Sequence, residues 1–450
     1  MRAETVQTLA FALPAAAVAA LWAWRRPAAR ERTAMLLGAA WVFATVPPLS
    51  ALAERLGWWR FAPGAGAGTA MPVALLLGWV LAWGMLPVLA LPRVPAWAAA
   101  ALALWLDLLL MPRLEPVLRL GPGWMYGEAL LLGLCFLPAR LLAGWTADER
   151  RLYGRAALQV ACFGALALWT LPWAVDAAVR SQAPWLDVRF AAPISLAVAL
   201  QVVALPALLG VAAVHEFAAR GGGTPLPYDP PARLVRSGPY AYVANPMQLS
   251  AALVLAAWGA MTGRPWVIAA GAMSVVYSAG IAGWDEGEDM ARRFGGPWAA
   301  YRRGVRAWLP RWRPWHPSLD GEKPDVLYVS AECGKCSELG RMVEAMRPVG
   351  LVVVPAEDHP TRDLTRITYA PADGGAEEDG VAAFARAMEH VNFACALMGM
   401  GLRLLVIRPM LQLIVDASGG GPMRVRRAEG GLACVQPRIS GAGIEIGTGD

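Results

Sequence analysis

Long apolar runs, broken by short arginine-bearing segments, dominate the first 320 positions of this 450-residue chain. A helix needs about 20 mostly apolar residues to cross a bilayer. By that measure crossings are expected near 6–24, 33–53, 68–91, 95–112, 124–145, 156–179 and 192–214. A tight apolar pair near 246–261 and 265–283, with Arg264 at its turn, adds two more. The pattern predicts a polytopic all-α integral membrane protein of about nine transmembrane helices. The first run starts at Val6 with no basic segment before it, so it reads as a crossing and not as a signal peptide.

Beyond position 320 the period changes. Val326-Leu327-Tyr328-Val329-Ser330 and Gly350-Leu351-Val352-Val353-Val354 are short apolar runs of the kind that form buried strands. An amphipathic helix is expected between them, near 337–346. The run 391–415 is apolar enough to suggest a tenth crossing, but Arg403 and Arg408 interrupt it, and a buried or membrane-leaning helix pair is the preferred reading. Three parts follow: transmembrane helices over 1–215, a polar rim with an apolar hairpin and an interfacial helix over 216–315, and an α/β domain over 322–450.

Charge sharpens this division. Charged residues are 16% of the chain, against about 25% in soluble domains. The last 130 residues carry 30 of them, so the membrane part is poorer still. A hydrophobic content of 57% excludes extensive disorder. Lysine occurs only at Lys323 and Lys335; the arginines lie between apolar stretches, and no basic-aromatic pattern points to nucleic acid. Twelve arginines fall in the loops after the first, third, fifth and seventh crossings, seven in the opposite loops. Excess Arg marks cytoplasmic loops. The N-terminus is therefore expected outside, with 215–245 and everything after Gly283 in the cytoplasm. The Arg bias and the fusion of two parts suggest a bacterial inner membrane.

Ionisable residues inside crossings point to ion or proton transport. Asp107 is the clearest, and Asp176 lies nearer a boundary. Either also fits a helix-pairing role, and no repeated broken-helix pattern favours a transporter.

Polar chemistry gathers at the rim. The stretch 215–245 is too rich in Gly and Pro to be a helix. After Gly283 come Glu286 and Glu288, then Phe294-Gly295, then Tyr301, Arg302 and Arg303, and finally Leu309-Pro310. Read plainly, this is a helix lying in the headgroup layer, its Trp and Arg residues meeting lipid. Read functionally, it closes a cofactor cavity, with carboxylates placed to bind hydroxyls or a cation.

Gly238-Pro239-Tyr240, Tyr242 and Asn245-Pro246-Met247, followed by the hairpin, the acidic residues, Phe294-Gly295, Tyr301 and Leu309-Pro310, resemble the isoprenylcysteine carboxyl methyltransferase and phospholipid methyltransferase superfamily over about 220–315. The resemblance implies an integral membrane enzyme that uses S-adenosylmethionine. The acceptor would be a membrane lipid or another small hydrophobic molecule. It further implies that Gly238, Pro239 and Tyr240 shape the cofactor loop and that Tyr242, Asn245 and Pro246 lie at the cofactor. Glu286 would bind a cofactor hydroxyl or amine, and Tyr301 and Arg302 would close the site. Asn245 and Glu286 are the expected catalytic positions. The chain departs from the family pattern at Ala244, where Arg is typical, and at Gly287, where a second glutamate is typical; Asp285 or Glu288 would have to replace it. His215 stands more than twenty residues before the motif and reads as a helix-boundary residue. A nicotinamide-dependent membrane reductase is the alternative with a similar hairpin, but no GxGxxG follows a strand.

In the last part, Cys333-Gly334-Lys335-Cys336 sits between an expected strand and an expected helix. Strand, CxxC and helix in that order look thioredoxin-like. A helix N-terminus and Lys335 both favour a Cys333 thiolate. With the later segments around 364–387, His390, Arg403 and Arg408-Pro409, the part resembles the thiol-disulfide oxidoreductase family named for its Asp-Cys-Cys signature, over about 325–425. Ala331-Glu332 stand where that family has Asp-Gly. The resemblance implies a redox-active Cys333 and Cys336 and a thiol or disulfide partner. A structural cysteine pair is the plainer alternative. Cys135, Cys162, Cys395 and Cys434 stand apart, so no four-ligand zinc site is expected, even with His359 and His390.

Overall fold

A computed structural model describes residues 2–62, 71–180, 196–226, 228–404 and 407–426. The starts of the third and seventh expected crossings, Arg189, Cys434 and the tail after Arg426 fall outside these residues, as does the side chain of Asp285. The chain divides into two compact units, Met1–His316 and Pro317–Asp450.

The first unit is a polytopic, largely helical membrane region. Its long helices are α1 (Ala3–Arg25), α2 (Ala29–Arg55), α3 (Val73–Ala90), α4 (Ala96–Leu114), α5 (Trp124–Ala147), α6 (Leu152–Asp176) and α7 (Leu200–Gly221). Among the described residues these seven are long and apolar enough to cross a membrane. The expected eighth and ninth crossings are present as α8 (Pro246–Met261) and the helix that starts at Pro265 and runs to Gly280, α9. Each spans 16 residues, about 24 Å at 1.5 Å per residue, less than the roughly 30 Å of hydrocarbon. They form a short hairpin, so among the described residues seven helices, or eight with the bent pair of the second unit, reach full crossing length. A two-stranded antiparallel sheet, β1 (Trp59–Phe61) and β2 (Leu118–Leu120), closes the end where α2 and α4 finish.

Prolines shape how these helices meet. Each lacks an N–H, so the carbonyl four residues earlier loses its helical donor. Pro138 frees Leu134 O, which accepts from Trp41 Nε1 at 3.2 Å. Pro48 frees Ala44 O, which accepts from Thr170 Oγ1 at 2.9 Å. Without water in the bilayer core, such carbonyls must find partners on neighbouring helices. Both bonds converge on α2, whose apolar face (Ala34, Met35, Val42, Val46) is fully buried. Wide π-helical turns immediately precede the helical segments carrying Pro87, Pro138 and Pro172, for the same reason.

At the end of the helices where α1 meets α2, arginines tie the unit together. Arg25 donates to Val88 O and Leu89 O, and Arg140 to Leu91 O and Val94 O. Asp229, in the loop after α7, accepts from Arg30 (2.7 Å), Arg155 (2.6 Å) and Thr224 (3.1 Å). One carboxylate thus fastens the rim loop to α2 and α6. At the opposite end Arg264, in the hairpin turn, pairs with Asp176 at 2.6 Å. Asp176 is accounted for as a pairing group.

The second unit is a mixed α/β domain. β3 (Asp325–Val329) pairs in parallel with β4 (Leu351–Pro355) and antiparallel with β5 (Thr368–Ala370), which carries the short β6 (Glu378–Asp379). α11 (Gly334–Ala345) connects β3 to β4, and α12 (Val381–Glu389) and α13 (Phe393–Leu402) follow β6. Leu327, Val343, Ala383 and Ala387, all 0% exposed, form the core. The apolar run 391–415 is broken into α13 and α14 (Ile407–Val415), a pair bent by 88° and not one straight span. Arg403, at the break, is held by Glu389 and Glu378.

Candidate functional site

The rim loop is built by local backbone rules. Ser237 Oγ donates to Glu216 Oε1 at 2.5 Å, anchoring the loop to the end of α7. Gly238 follows at φ +60°, a conformation that disfavours any side chain, and a Cβ there would press on Glu216. Gly238–Ala241 form a 3-10 turn that Pro239 pre-sets, and Pro246 opens α8 at a position where a missing N–H costs nothing.

A strap after α10 (Gly283–Gly304) locks this loop. Ala244 N–H donates to Arg306 O, Asn245 N–H to Ala307 O, Arg311 N–H to Tyr242 O and Trp315 N–H to Ala241 O, at 2.8–3.1 Å. The bare main chain of the motif is thus paired as in a sheet. Tyr301, 1% exposed, donates its hydroxyl to Tyr240 O at 3.0 Å and stacks near Trp298 and Trp315. α10 is broken at Gly295, φ +53°, just before Pro297. Its two halves can therefore present Glu286 and Tyr301 to one space. A Cβ on Gly304 would lie 2.2 Å from Trp315 Cδ1. Gly304→Ala is expected to lower unfolding stability by about 1–3 kcal/mol, as overpacked sites do, read by thermal denaturation in detergent.

Between loop, hairpin and α10 lies a cavity of about 360 Å³. Its polar wall is Asn245, Glu286, Arg302 and the Tyr240 and Tyr301 side chains; its apolar wall includes Phe217, Met290, Trp298 and Trp308. Ser278, Ala279 and Gly283, where the hairpin meets α10, complete it. Arg302 also lies over the Trp298 ring, 5.6 Å from its centroid. Glu286 is exposed on its helix, but the protein around its carboxyl raises its pKa by desolvation, with Arg302 opposing. Burial pushes the Tyr240 and Tyr301 hydroxyls up, so both stay neutral donors.

Of the expected site residues, Tyr240, Asn245, Glu286, Tyr301 and Arg302 share this cavity. Gly238 and Pro239 form the turn behind it, and Pro246 the start of α8. Tyr242, expected to touch a cofactor, is 0% exposed and packs inside the protein, outside the cavity wall. Its role is to hold the strap through its carbonyl. Ala244 and Gly287, the two departures, both line the cavity. Glu288 is exposed and pairs with Arg292. His215 stacks beside Tyr153 and does not line the cavity. Sequence reasoning missed Glu216 and Asp229, the two carboxylates that organise the loop. Adjacent arginines and the Pro-rich setting of Asp229 were the only signals for them.

In the second unit, Cys333 caps the N-terminus of α11: its Sγ accepts from Cys336 N–H at 3.4 Å. Hydrogen bonds from Cys336, first its thiol and then its N–H, hold the Cys333 thiol below its usual pKa, with Lys335 adding to the effect. Burial pushes the Cys336 thiol up to about 11. Cys333 is thus the more acidic thiol of the pair, and Cys336 stays protonated near neutral pH. Alkylation near neutral pH is expected to modify Cys333 first, with a rate midpoint below the roughly 8.5 of a free thiol. Mass spectrometry of the labelled peptide checks this; equal labelling of Cys336 would contradict it. The loop before the pair is held by Glu357, which accepts from Ser330 Oγ and Ala331 N–H. His359 and His390 are buried in hydrogen-bonded settings, His359 with Glu377 and His390 with Tyr369 and Val349 O. Among the described residues no group of three or more His, Cys, Asp or Glu side chains could hold a metal ion.

No protein-family model, curated protein or solved structure matches the chain.

Proposed function

We propose that the membrane region is an S-adenosylmethionine-dependent methyltransferase that acts on a lipid or small hydrophobic acceptor at the cytoplasmic face of a bacterial inner membrane. The observation that carries this reading is the convergence of Asn245, Glu286, Tyr301 and Arg302, from three separate segments, on one cavity. The cavity suits such a cofactor. Its volume falls in the roughly 300–1,000 Å³ range of small-molecule sites. It offers a carboxylate and aromatic faces to a cationic group, and a guanidinium to a carboxylate.

When bound, the cofactor supplies an electrophilic methyl group on a sulfonium. The protein's part is alignment and exclusion of water. Glu286 would bind the amine or a ribose hydroxyl, Arg302 the carboxylate, and Asn245 would orient the adenosyl portion. Tyr301, through its bond to Tyr240 O, would keep the strap closed over the site. Ser278, Ala279 and Gly283 are small residues in the wall where the hairpin ends, suiting entry of an acceptor from the bilayer. Among the described residues lining the cavity there is no His or Lys to act as a base, which favours acceptors that react without losing a proton, such as carboxylates or thiolates.

The test is calorimetric titration of S-adenosylmethionine into detergent-purified protein. Saturable binding is expected. Heat only from NADPH, or none at millimolar cofactor by folded protein, would remove this reading.

A second reading, for the second unit, is favoured by the Cys333 geometry. The unit would be a thioredoxin-like thiol-disulfide oxidoreductase: Cys333 attacks a partner disulfide, and Cys336 resolves the mixed disulfide, passing two electrons to the partner and oxidising the pair. The strand order β4-β3-β5-β6, with the CxxC at the start of the helix between the parallel pair, supports it.

A further inference from the structure

The proposed methyl transfer uses nothing from the first six helices, yet these enclose two carboxyl groups. Asp107 on α4 is 8% exposed and Glu128 on α5 is 1% exposed. The charge of Asp107 acts on Glu128, so the two carboxyls lie close together. Neither Asp107 Oδ2 nor Glu128 Oε1 accepts a bond from any donor on the described residues. Glu54, Arg55, Arg60, Arg113, Glu115 and Arg119 lie on the surrounding elements, and no guanidinium donates to either oxygen. Arg113 reaches back to Leu109 O, and Arg140 is engaged at the far end of α5. Cys135, two turns beyond Glu128 on the same face, is fully buried.

A third buried polar atom belongs to the sheet that packs on α5. Trp59 Nε1 has no partner either, and Trp59 is 1% exposed. Its ring lies on Gly127, the residue before Glu128, where a Cβ would sit 2.4 Å from the ring. The β1–β2 sheet thus seals this end of the helices over the carboxyls. Two neighbouring buried carboxylates without a cation cannot both stay ionised.

We infer that Asp107 and Glu128 form a proton-binding site, holding one proton between them at neutral pH. It lies at the end of the membrane region away from the cavity: 18 residues of α5, about 27 Å, separate Glu128 from Thr146, whose carbonyl accepts from Arg30 beside Asp229. The site is independent of the methyltransferase reading.

Infrared difference spectroscopy on the full chain in lipid nanodiscs tests it. Wild type at neutral pH is expected to show a protonated-carboxyl band that shifts in heavy water and is lost in the Asp107→Asn, Glu128→Gln double variant. Asp107→Asn alone, which keeps a polar neighbour for Glu128, should retain the band at a shifted frequency; this holds even where the double variant folds poorly. A band unchanged in either variant, or absent from wild type, overturns the proposal. A band that appears only when sodium is removed also overturns it, because a metal cation would then be the resident ligand.

Discussion

Asp229→Ala is expected to destabilise the membrane region by about 3–5 kcal/mol, the cost of removing one partner from a buried ion pair. The reason is geometric. The side chain of Arg155 is 5% exposed and that of Asp229 11%, and Arg30 meets the same carboxylate. Removing it leaves the buried Arg155 guanidinium without its counter-charge, while Arg30 keeps only Glu149. The loop it anchors carries Pro231 and Val235, both walls of the cavity. Thermal unfolding in detergent should therefore fall, and limited proteolysis between 222 and 236 should speed up. Arg424→Ala is the control. Its pair with Asp363 is surface-exposed, with Arg424 75% accessible, and its loss should cost no more than about 1 kcal/mol. Equal effects of the two changes would deny Asp229 its role as a latch.

Glu286→Gln is expected to weaken S-adenosylmethionine binding roughly 10- to 100-fold, the loss of a charge-assisted hydrogen bond worth about 1.5–3 kcal/mol. The pH dependence follows from the direction of its shift. Desolvation raises the Glu286 pKa, Arg302 only partly opposing. The binding-competent carboxylate is present above that raised pKa and is lost as pH falls through it. Wild-type affinity should therefore begin to decline at a higher pH than for an ordinary glutamate, and Glu286→Gln should be flat over the same range. Calorimetry across pH separates the two. A wild type with no decline, or a variant that keeps the decline, would place the titrating group elsewhere.

The residues that the sequence offered for the rim were scattered over more than sixty positions, and spacing could not say whether they meet. Tyr240 and Tyr242 are two apart and look equivalent in the motif. In the fold the first lines the cavity and the second is buried behind it, because the 3-10 turn at Gly238–Ala241 and the strap pairing at Tyr242 O point them differently. Glu128 lies among apolar residues only four positions into a helix, where a carboxylate usually reaches the headgroups, so its sequence setting gives no sign of burial. Asp107 stands out in its apolar run, but its partner does not, since helix pairing joins residues that periodicity cannot relate.

Apolar run length and arginine placement were enough to establish a polytopic helical membrane part followed by an α/β part, because burying apolar surface depends on composition and period, which are local. The placement of the cysteine pair was equally local: two thiols three residues apart at a helix start. Packing alone settled which polar groups meet: Asp229 with Arg30 and Arg155, Tyr301 with Tyr240 O, Asp107 with Glu128, and the carbonyls freed by Pro48 and Pro138 with donors on other helices. Hydrogen bonds and ion pairs need atoms within about 3 Å, and contacts that short between distant segments are created by the assembled fold.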